Sequence, residues 1–483
     1  MGHDGYRRES WCSDRRIHNL RHDGDPLGVR RHYTYYLSRA CFLCGFILVF
    51  VRVSVYIYRI RNWGGGIGQR YMSNYAGSGL VMTMRRLVTV LVATILWTGN
   101  AVAWDFLTLP NFPQRGSGHT DKIPWWYSGL TFYAPFDDPA NPLRLIKGTG
   151  SFTFTRAHDA THTATFVHPT TGLVTTAFAN QLRVEGNGAL IEGVRTNIAL
   201  YSDNLATAAW VKVNVSAAMN QTGPDGVANS ASLITATGDG GTILQTVLSV
   251  SAAHSYAVWL KRVSGTGAVS ITIDGTTWTE KTITSSWSRV SKENVTVLNP
   301  VIGIKLATSG DNVAVALSQL EVSAFSSSSI PTAATSMTRN TDTLTFPSSG
   351  NFTDAMGTVV VRCDLDTSAI SGGAYILDVG SINLPLFYQA NTIRAYDGAV
   401  RTGPDWASGS GGHWIGNSWG SGVMYLAIDG TISADLGSNG FSSSTMTIGA
   451  QGGSMANFIF GHVKNLRIWS RVLSSVEMVS VMQ

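Results

Sequence analysis

The stretch GALIEGVRTNIALYSDNLATAAW (residues 188–210) marks a boundary between two folding units. An apolar run is followed by a carboxylate and a guanidinium three residues apart, Glu192 and Arg195, in a chain with only 13% charged residues. Such a pair is either an acid/base pair of an active site or a structural brace. The sequence around it has to distinguish these two interpretations.

Composition and turn signals both favour an all-β protein. The chain of 483 residues is long enough for several domains, and it combines low charge with 51 glycines and many β-branched residues. Asp-Gly pairs separate β-rich runs at Asp274-Gly275, Asp397-Gly398 and Asp429-Gly430, as in tight hairpins. Many short strands without intervening helical patterns predict antiparallel β-sandwiches.

The charge is divided unequally along the chain. Residues 1–103 hold fourteen arginines, no lysine and five acidic residues, whereas residues 104–483 hold twenty-one basic and twenty-five acidic residues. The basic pI of about 9.0 therefore arises from the N-terminal part. We expect no nucleic-acid partner for the folded part.

A signal-peptide pattern begins well inside the chain. From Met84 the sequence reads MRRLVTVLVATILWTGNAVAW, two arginines before an apolar run and then Ala101-Val102-Ala103. We assign residues 84–103 as a signal-peptide-like segment and expect residues 1–83 to be a non-native or disordered extension. A membrane-proximal extension is the alternative. With a signal-peptide-like segment, the protein is expected to be secreted (extracellular) or part of a virion or tail.

Three blocks in order resemble a phage tail and virion structural family. They are FTRAHDAT (154–161), GALIEGVRTNIALYSDNLATAAWVK (188–212) and QLEVSAFSSSSIPTAATSMTRNTDTLTF (319–346). The resemblance implies a galactose-binding-like or carbohydrate-binding-module-like sandwich. We place it at residues 196–325, after a lead-in segment at 104–195 and before a Ser-rich linker at 326–338.

Residues 339–483 resemble a laminin-G or concanavalin A-like lectin/glucanase jelly roll. The similar stretches are MGTVVVRCDL (356–365), VMYLAIDGTISADLG (423–437) and HVKNLRIWSRVLSSVEMVSVM (462–482). Ser474 and Glu477 predict the capped start of a short helix near the end of this region. The fold class expected is all-β, with a galactose-binding-like jelly roll followed in tandem by a concanavalin A-like one.

No catalytic motif is found in the sequence. The E-x-D-x-x-E strand of jelly-roll glucanases is missing, and so are a G-x-S-x-G elbow, H-E-x-x-H and a P-loop. Asp364 and Asp366 are expected on the same face of a strand. They are either a solvated pair, catalytic acids or part of a calcium site. Calcium is the only cofactor that the sequence suggests.

Aromatic residues suggest binding of sugars. The tryptophans in the glycine-rich stretch 406–419 either pack into the core or form a glycan-binding platform with neighbouring polar residues. Trp278, just after the Asp274-Gly275 turn, is a further candidate for binding sugar. The platform residues are Trp406, His413, Trp414, Asn417, Trp419 and Trp278. By contrast, Trp210, Trp259 and Trp287 are expected in the core.

These patterns favour a non-catalytic attachment protein of phage or prophage tail type. Its expected partners are a surface polysaccharide or glycan, other copies of the chain (a homo-oligomer such as a trimer) and other virion proteins. A secreted glycan-degrading hydrolase and a purely architectural virion protein are the alternatives. Without a second carboxylate nearby, Glu192 and Arg195 are expected to form a brace, with Asn197 holding backbone at the domain junction.

Overall fold

The computed structural model describes the chain mainly from residue 125 onward. The described residues are 36–43, 46–52 and 125–482, apart from short gaps at 160–161, 366, 368–369, 371, 381–382, 407–410 and 453–455. The signal-peptide-like segment 84–103 and most of the extension 1–83 lie outside them. No helix among the described residues is long and apolar enough to cross a membrane.

The chain divides into two compact units, residues 1–116 and 117–483. In the first unit, β1 (Tyr36–Leu43) pairs antiparallel with β2 (Phe46–Arg52). The second unit contains everything described below.

The second unit opens with a single 3-10 turn and a series of short strands. The turn is Trp125–Tyr127, and the strands are β3 (Leu130–Ala134), β4 (Thr153–Thr155), β5 (Thr165–Val167), β6 (Val174–Thr176), β7 (Arg183–Glu185) and β8 (Gly188–Ile191). The strands that follow are β9 (Arg195–Asn197), β10 (Val211–Val213), β11 (Val215–Gln221), β12 (Ala231–Ala236), β13 (Gly241–Thr246), β14 (Ala252–Ser264), β15 (Val269–Thr272), β16 (Thr279–Lys281), β17 (Ser288–Val297), β18 (Val301–Leu306) and β19 (Asn312–Glu321).

The C-terminal part continues with strands and ends in a short helix. Its elements are β20 (Met337–Arg339), β21 (Thr343–Pro347), β22 (Met356–Leu365), β23 (Ala374–Asp378), β24 (Leu384–Gln389), β25 (Thr392–Tyr396), β26 (Val400–Asp405), β27 (His413–Gly420), β28 (Val423–Ile428), β29 (Thr431–Ile432), β30 (Thr445–Ile448), β31 (Gly461–Trp469) and α1 (Ser475–Val481). Ser474 caps α1 and forms the predicted capping box with Glu477.

Two sandwiches are formed, and both are antiparallel, which confirms the all-β class. The inserted sandwich has the sheets β10-β13-β18-β15-β16 and β11-β12-β19-β14-β17. The outer sandwich has the sheets β26-β25-β24-β23-β30-β21-β4 and β29-β28-β27-β22-β31-β8-β7, with β3 added to β31. A separate small sheet joins β5 and β6.

The two sandwiches are nested rather than arranged in tandem. Strands β3, β4 and β8 come from residues 130–191, yet they pair with strands of the C-terminal part, and β7 joins the same sheet through β8. The region 104–195 is therefore not a separate lead-in segment as far as it is described, because its strands complete the C-terminal sheets. The chain enters and leaves the inserted sandwich through β9 and β20, which pair with each other.

The pattern of apolar residues explains which faces are buried. In β22, Val359 and Val361 lie in the core between the two outer sheets. Val360 points the other way, into a cluster with Met478 and Val481 of α1. In β14 the alternation sends Val258 into the core of the inserted sandwich and leaves its neighbours for the opposite face.

The Ser-rich segment 326–338 is packed at the junction and is not a free linker. Ser327 and Ser329 are buried, and the Ser327 backbone N–H and hydroxyl both donate to Glu321. The Ser329 hydroxyl accepts a hydrogen bond from the indole N–H of Trp259 at 3.0 Å. Serine hydroxyls and backbone here bond to other parts of the protein, which composition alone does not reveal.

Candidate ligand site at the junction of the two sandwiches

A buried network of charges lies where the two sandwiches meet. Glu192 forms ion pairs with Arg183 at 2.7 Å and with Arg339 at 3.2 Å. Asp342 pairs with Arg183 and, at 2.8 Å, with Arg156. All five side chains are almost completely buried, so each charge depends on its partners. The network ties β7 and the end of β8 to the segment around β20.

Glu192 is held in its charged form. Burial alone would raise the pKa of its carboxyl, but Arg339, Arg183 and two hydrogen bonds from Ser328 outweigh burial and lower it well below the usual range. The carboxylates of Asp342 and Glu192 raise the pKa of Arg183 despite its burial. A carboxylate fixed in this way does not donate a proton near neutral pH.

Arg195 is not the partner of Glu192, so the predicted brace is wrong in that respect. The Arg195 guanidinium lies over the rings of Phe460 and Phe325, 4.3 Å and 4.9 Å from their centres. Residues three apart along extended backbone point to opposite sides, which separates Arg195 from Glu192. Glu192 braces the junction through Arg183 and Arg339 instead.

Asn197 uses its whole amide at the junction. Its Nδ2 donates to the carbonyl oxygens of Ser318 at 3.0 Å and Ile330 at 2.8 Å. Its Oδ1 accepts from the backbone N–H groups of Ala199 and Leu320. A buried amide with every donor and acceptor engaged fixes the backbone on both sides of the boundary.

A cavity of about 200 Å³ opens beside the network. It is lined by β5 to β8, by β14 and β17 of the inserted sandwich, by the Ser-rich segment and by the start of β31. Its aromatic walls are Trp259 and Phe166, and its polar groups come from Glu185, His462, Arg289 and residues 326–329. The cavity therefore combines apolar faces with hydrogen-bonding and charged groups.

Glu185 and His462 form a polar pair in the cavity wall. His462 Nε2 lies 3.0 Å from Glu185 Oε2, and Glu185 Oε1 accepts the backbone N–H of Val167 at 2.7 Å. Both oxygens of Glu185 are thus engaged. This arrangement orients the imidazole towards a fixed acceptor.

Arg289 lies directly opposite Trp259 across the β14–β17 pair. Paired residues on neighbouring strands share a face of the sheet, so the guanidinium and the indole line the same wall. Arg289 Nη2 donates to the carbonyl oxygen of Ser327 at 2.6 Å, whereas Nε is buried without a partner. The hydroxyl of Ser326, also in the cavity wall, has no partner either. Trp259, which the sequence placed in the core, is half-buried in this cavity wall instead.

The predicted platform at residues 406–419 does not form. Trp406, Asn417 and Trp419 are at most 1% exposed and belong to the core of the outer sandwich. The stretch from His413 is strand β27 rather than a loop. Its Gly416 permits close packing, since a Cβ there would lie 2.5 Å from the Met482 side chain of the C-terminal end. Glycine here serves close packing and not loop flexibility.

The remaining platform residues are separated from one another. His413 pairs with Asp429 at the edge of β27, and Trp414 lies beside Arg467, 5.7 Å from ring centre to guanidinium. Trp278 lies on the inserted sandwich with Lys305 over its ring. Trp210, expected in the core, is 1% exposed.

Of the two aspartates predicted as possible calcium ligands, the structure describes only Asp364. Asp364 accepts a hydrogen bond from the amide of Asn187 at 2.7 Å, and Asp366 lies outside the described residues. No group of three or more His, Cys, Asp or Glu side chains in the described part of the chain is arranged to hold a metal ion.

Sequence reasoning missed most of the junction residues, although a signal for them existed. Arg156 lies in the first block, FTRAHDAT, and Arg339 and Asp342 lie in the third, within its stretch TRNTD (338–342). The charged residues of separate blocks thus meet in one network. Glu185, His462 and Arg289 carry no comparable motif.

Comparisons with known proteins give distant likenesses only. No protein-family model and no curated protein matches the chain. Among solved structures, a Trypanosoma rangeli sialidase is 11% identical over 68% of this chain and 66% of its own, with a TM-score of 0.24. The binding domain of botulinum neurotoxin DC in complex with SialylT is 11% identical, over 29% and 39% of the two chains, with a TM-score of 0.24.

A third likeness is to domain 4 of an extracellular GH43 arabinanase from Geobacillus stearothermophilus, in complex with arabinotriose. It is 11% identical over 30% of this chain and 73% of that domain, with a TM-score of 0.24. In the first sialidase structures the match spans only about a quarter of that protein, 26% of its chain.

Proposed function

We propose that this protein is a non-catalytic glycan-binding protein and that the junction cavity is its binding site. The observation that carries the proposal is the pairing of an indole face, Trp259, with a hydrogen-bonding group, Arg289, on one wall. Saccharides are bound by aromatic faces against their C–H surfaces and by polar groups around their hydroxyls. The cavity offers both within one concave space.

The size of the cavity limits the ligand. Its volume of about 200 Å³ lies below the roughly 300–1,000 Å³ typical of pockets for drug-sized ligands. A single sugar ring or the end of a chain is the unit that fits. Higher affinity for a polysaccharide would come from several copies of the site in an oligomer.

The carboxylates of the cavity favour binding over hydrolysis. Glycoside hydrolysis requires a carboxyl that donates a proton to the leaving oxygen. Glu192 is fixed as a carboxylate by two arginines, and both oxygens of Glu185 already accept hydrogen bonds. Neither is available as the general acid in this arrangement, so we propose no hydrolase activity at this site.

The biological role proposed is attachment as a phage or prophage tail-type protein, at the virion or outside the cell. The support is the resemblance of the three blocks, together with the position of their charged residues in the junction network. The signal-peptide-like segment favours export. Surface glycan is the proposed partner in either setting.

A cavity-filling variant tests the proposal. Ser326→Leu introduces a branched side chain into the cavity wall, and Ser309→Leu places the same side chain at an exposed position of the inserted sandwich. On a glycan array we expect binding by the unaltered protein and by Ser309→Leu, and at least tenfold weaker binding by Ser326→Leu. Equal binding by both variants, or no binding at all, would refute the assignment. Release of oligosaccharides from a bound polysaccharide would show a hydrolase instead.

A further inference from the structure

Arg289 lacks a carboxylate partner among the residues that the structure describes, unlike the three arginines of the buried charge network. Arg183, Arg339 and Arg156 each form an ion pair at 3.2 Å or less. Within the described part of the chain, no carboxylate oxygen lies within 4.0 Å of the Arg289 guanidinium. Its Nη2 donates instead to a neutral carbonyl oxygen, that of Ser327. An arginine that is partly buried without a counter-ion is costly, unless a ligand supplies the charge.

The nearby carboxylates are already engaged elsewhere. Glu192 is paired with two arginines, and Glu185 with His462 and a backbone N–H. Glu321 exerts the strongest attraction on Arg289, but its two oxygens accept the N–H and hydroxyl of Ser327, which lies between. None of them is free to turn towards the cavity.

A fourth carboxylate, Glu293, attracts Arg289 from the same strand. Its Oε1 accepts the backbone N–H of Ser326 at 3.1 Å, and it forms no ion pair with Arg289 within 4.0 Å. Arg289 is therefore attracted by several carboxylates at a distance, while its guanidinium has no direct ion-pair partner within the described ranges.

We infer that the junction cavity selects a sugar that bears a carboxylate, and that Arg289 binds that carboxylate. This inference rests on the proposed glycan-binding function. The sugar ring lies against Trp259, whose indole is held in place by Ser329, and its carboxylate reaches the guanidinium on the next strand. The planar guanidinium matches the two oxygens of a carboxylate. The hydroxyl of Ser326 provides a further hydrogen bond at the same wall.

A carboxylate fits better than a phosphate or a sulfate. Arg289 offers a single positive charge, whereas a phosphate monoester carries up to two negative charges at neutral pH. Arg289 also stands alone, and multiple cations are the usual feature of phosphate recognition. The cavity thus favours uronic or other carboxylated sugars.

The test compares acidic sugars with their uncharged esters. Digalacturonate and 3′-sialyllactose, each as the free acid and as the methyl ester, are titrated calorimetrically against the full chain. We expect at least one free acid to bind ten times more tightly than its ester. Arg289→Gln should abolish that difference, and Arg289→Lys should retain part of it. Arg394→Gln is the matched control, because Arg394 bonds to Thr392 and Gln389 on the outer sandwich.

The outcomes separate this inference from the proposed function. If acids and esters bind equally, or if sulfated or phosphorylated sugars on an array bind better than carboxylated ones, the carboxylate inference is wrong while glycan binding stands. If no glycan binds, the proposed function itself fails. Circular dichroism checks the fold of each variant. If Arg289→Gln does not fold, the acid–ester difference in the unaltered protein and in Arg289→Lys decides.

Discussion

Trp259 and Arg289 are direct neighbours across the antiparallel pair β14–β17, and both side chains line the cavity between the two sandwiches. The pairing places an apolar surface and a positive charge side by side without any loop to position them. Strands hold such a pair more rigidly than flexible segments do. The inserted sandwich therefore contributes the recognition groups, and the outer sandwich closes the cavity with β7, β8 and β31.

Removing the charge of Glu192 should strongly destabilise the protein. In Glu192→Gln, Arg339 loses its ion-pair partner while remaining completely buried, and Arg183 keeps only Asp342. Breaking a buried pair in this way costs about 3–5 kcal/mol. Urea unfolding measures the loss, with Glu280→Gln, at an exposed position, as the control. A loss no larger than that of the control would contradict the network.

Arg195→Ala should have a much smaller effect than Glu192→Gln. Its guanidinium contacts the rings of Phe460 and Phe325, and such contacts contribute about 1 kcal/mol. Glycan binding by the folded protein should be unchanged, since Arg195 does not line the junction cavity. The same unfolding experiment and a binding titration check both parts. An effect as large as that of Glu192→Gln would show that Arg195 does stabilise the junction together with Glu192.

Asp203 should make stability fall as the pH rises through the weakly acidic range. Burial raises the pKa of its carboxyl to about 6, although Ser202 and the backbone N–H of Leu317 donate hydrogen bonds to it. Because the folded state holds the proton more tightly than the unfolded state, protonation stabilises the fold below about pH 6.

The variant Asp203→Asn isolates this effect. We expect the stability of the unaltered protein relative to Asp203→Asn to decrease by on the order of 2 kcal/mol between about pH 4 and pH 7. Unfolding free energies measured at several pH values give this difference directly. A relative stability that is constant, or that increases with pH, would show that the pKa of Asp203 is not raised in the folded protein.

Tryptophan variants should separate core residues from ligand contacts. Trp406→Ala removes a fully buried indole and should cost about 3–5 kcal/mol of stability, and Trp278→Ala should cost far less. Neither change should alter the glycan affinity of the folded protein. Trp259→Leu should weaken binding about fivefold to tenfold, and Trp259→Phe should retain most of it. Weaker glycan binding by Trp278→Ala would show that Trp278 does contact the ligand.

The sequence was sufficient for the type of structure and for its local details. Period-two apolar patterns predicted the strands, the Asp429-Gly430 pair precedes β29 as a turn, and Ser474 with Glu477 predicted the start of α1. These features depend on residues close together in the chain. Local chemistry therefore determines them.

Partners distant in the chain were not predictable in the same way. Glu192 bonds Arg339, and β8 pairs with β31 about 270 residues later, so neither contact leaves a local signal. The glycines of β27 were misleading as well, because glycine favours both loops and close packing. The resemblance to family blocks located the junction without indicating which charges meet there.

The nesting of the sandwiches has a consequence for folding. The outer sheets require contacts between residues as far apart as Trp126 and Trp469, 343 positions along the chain. The inserted sandwich draws its core from residues 199–320 alone, and its ends leave together at the β9–β20 pair. Once it has formed, it shortens the effective loop between β8 and β21 and lowers the entropy that the outer sheets must lose. We expect the inner sandwich to act as the assembly template of the outer one.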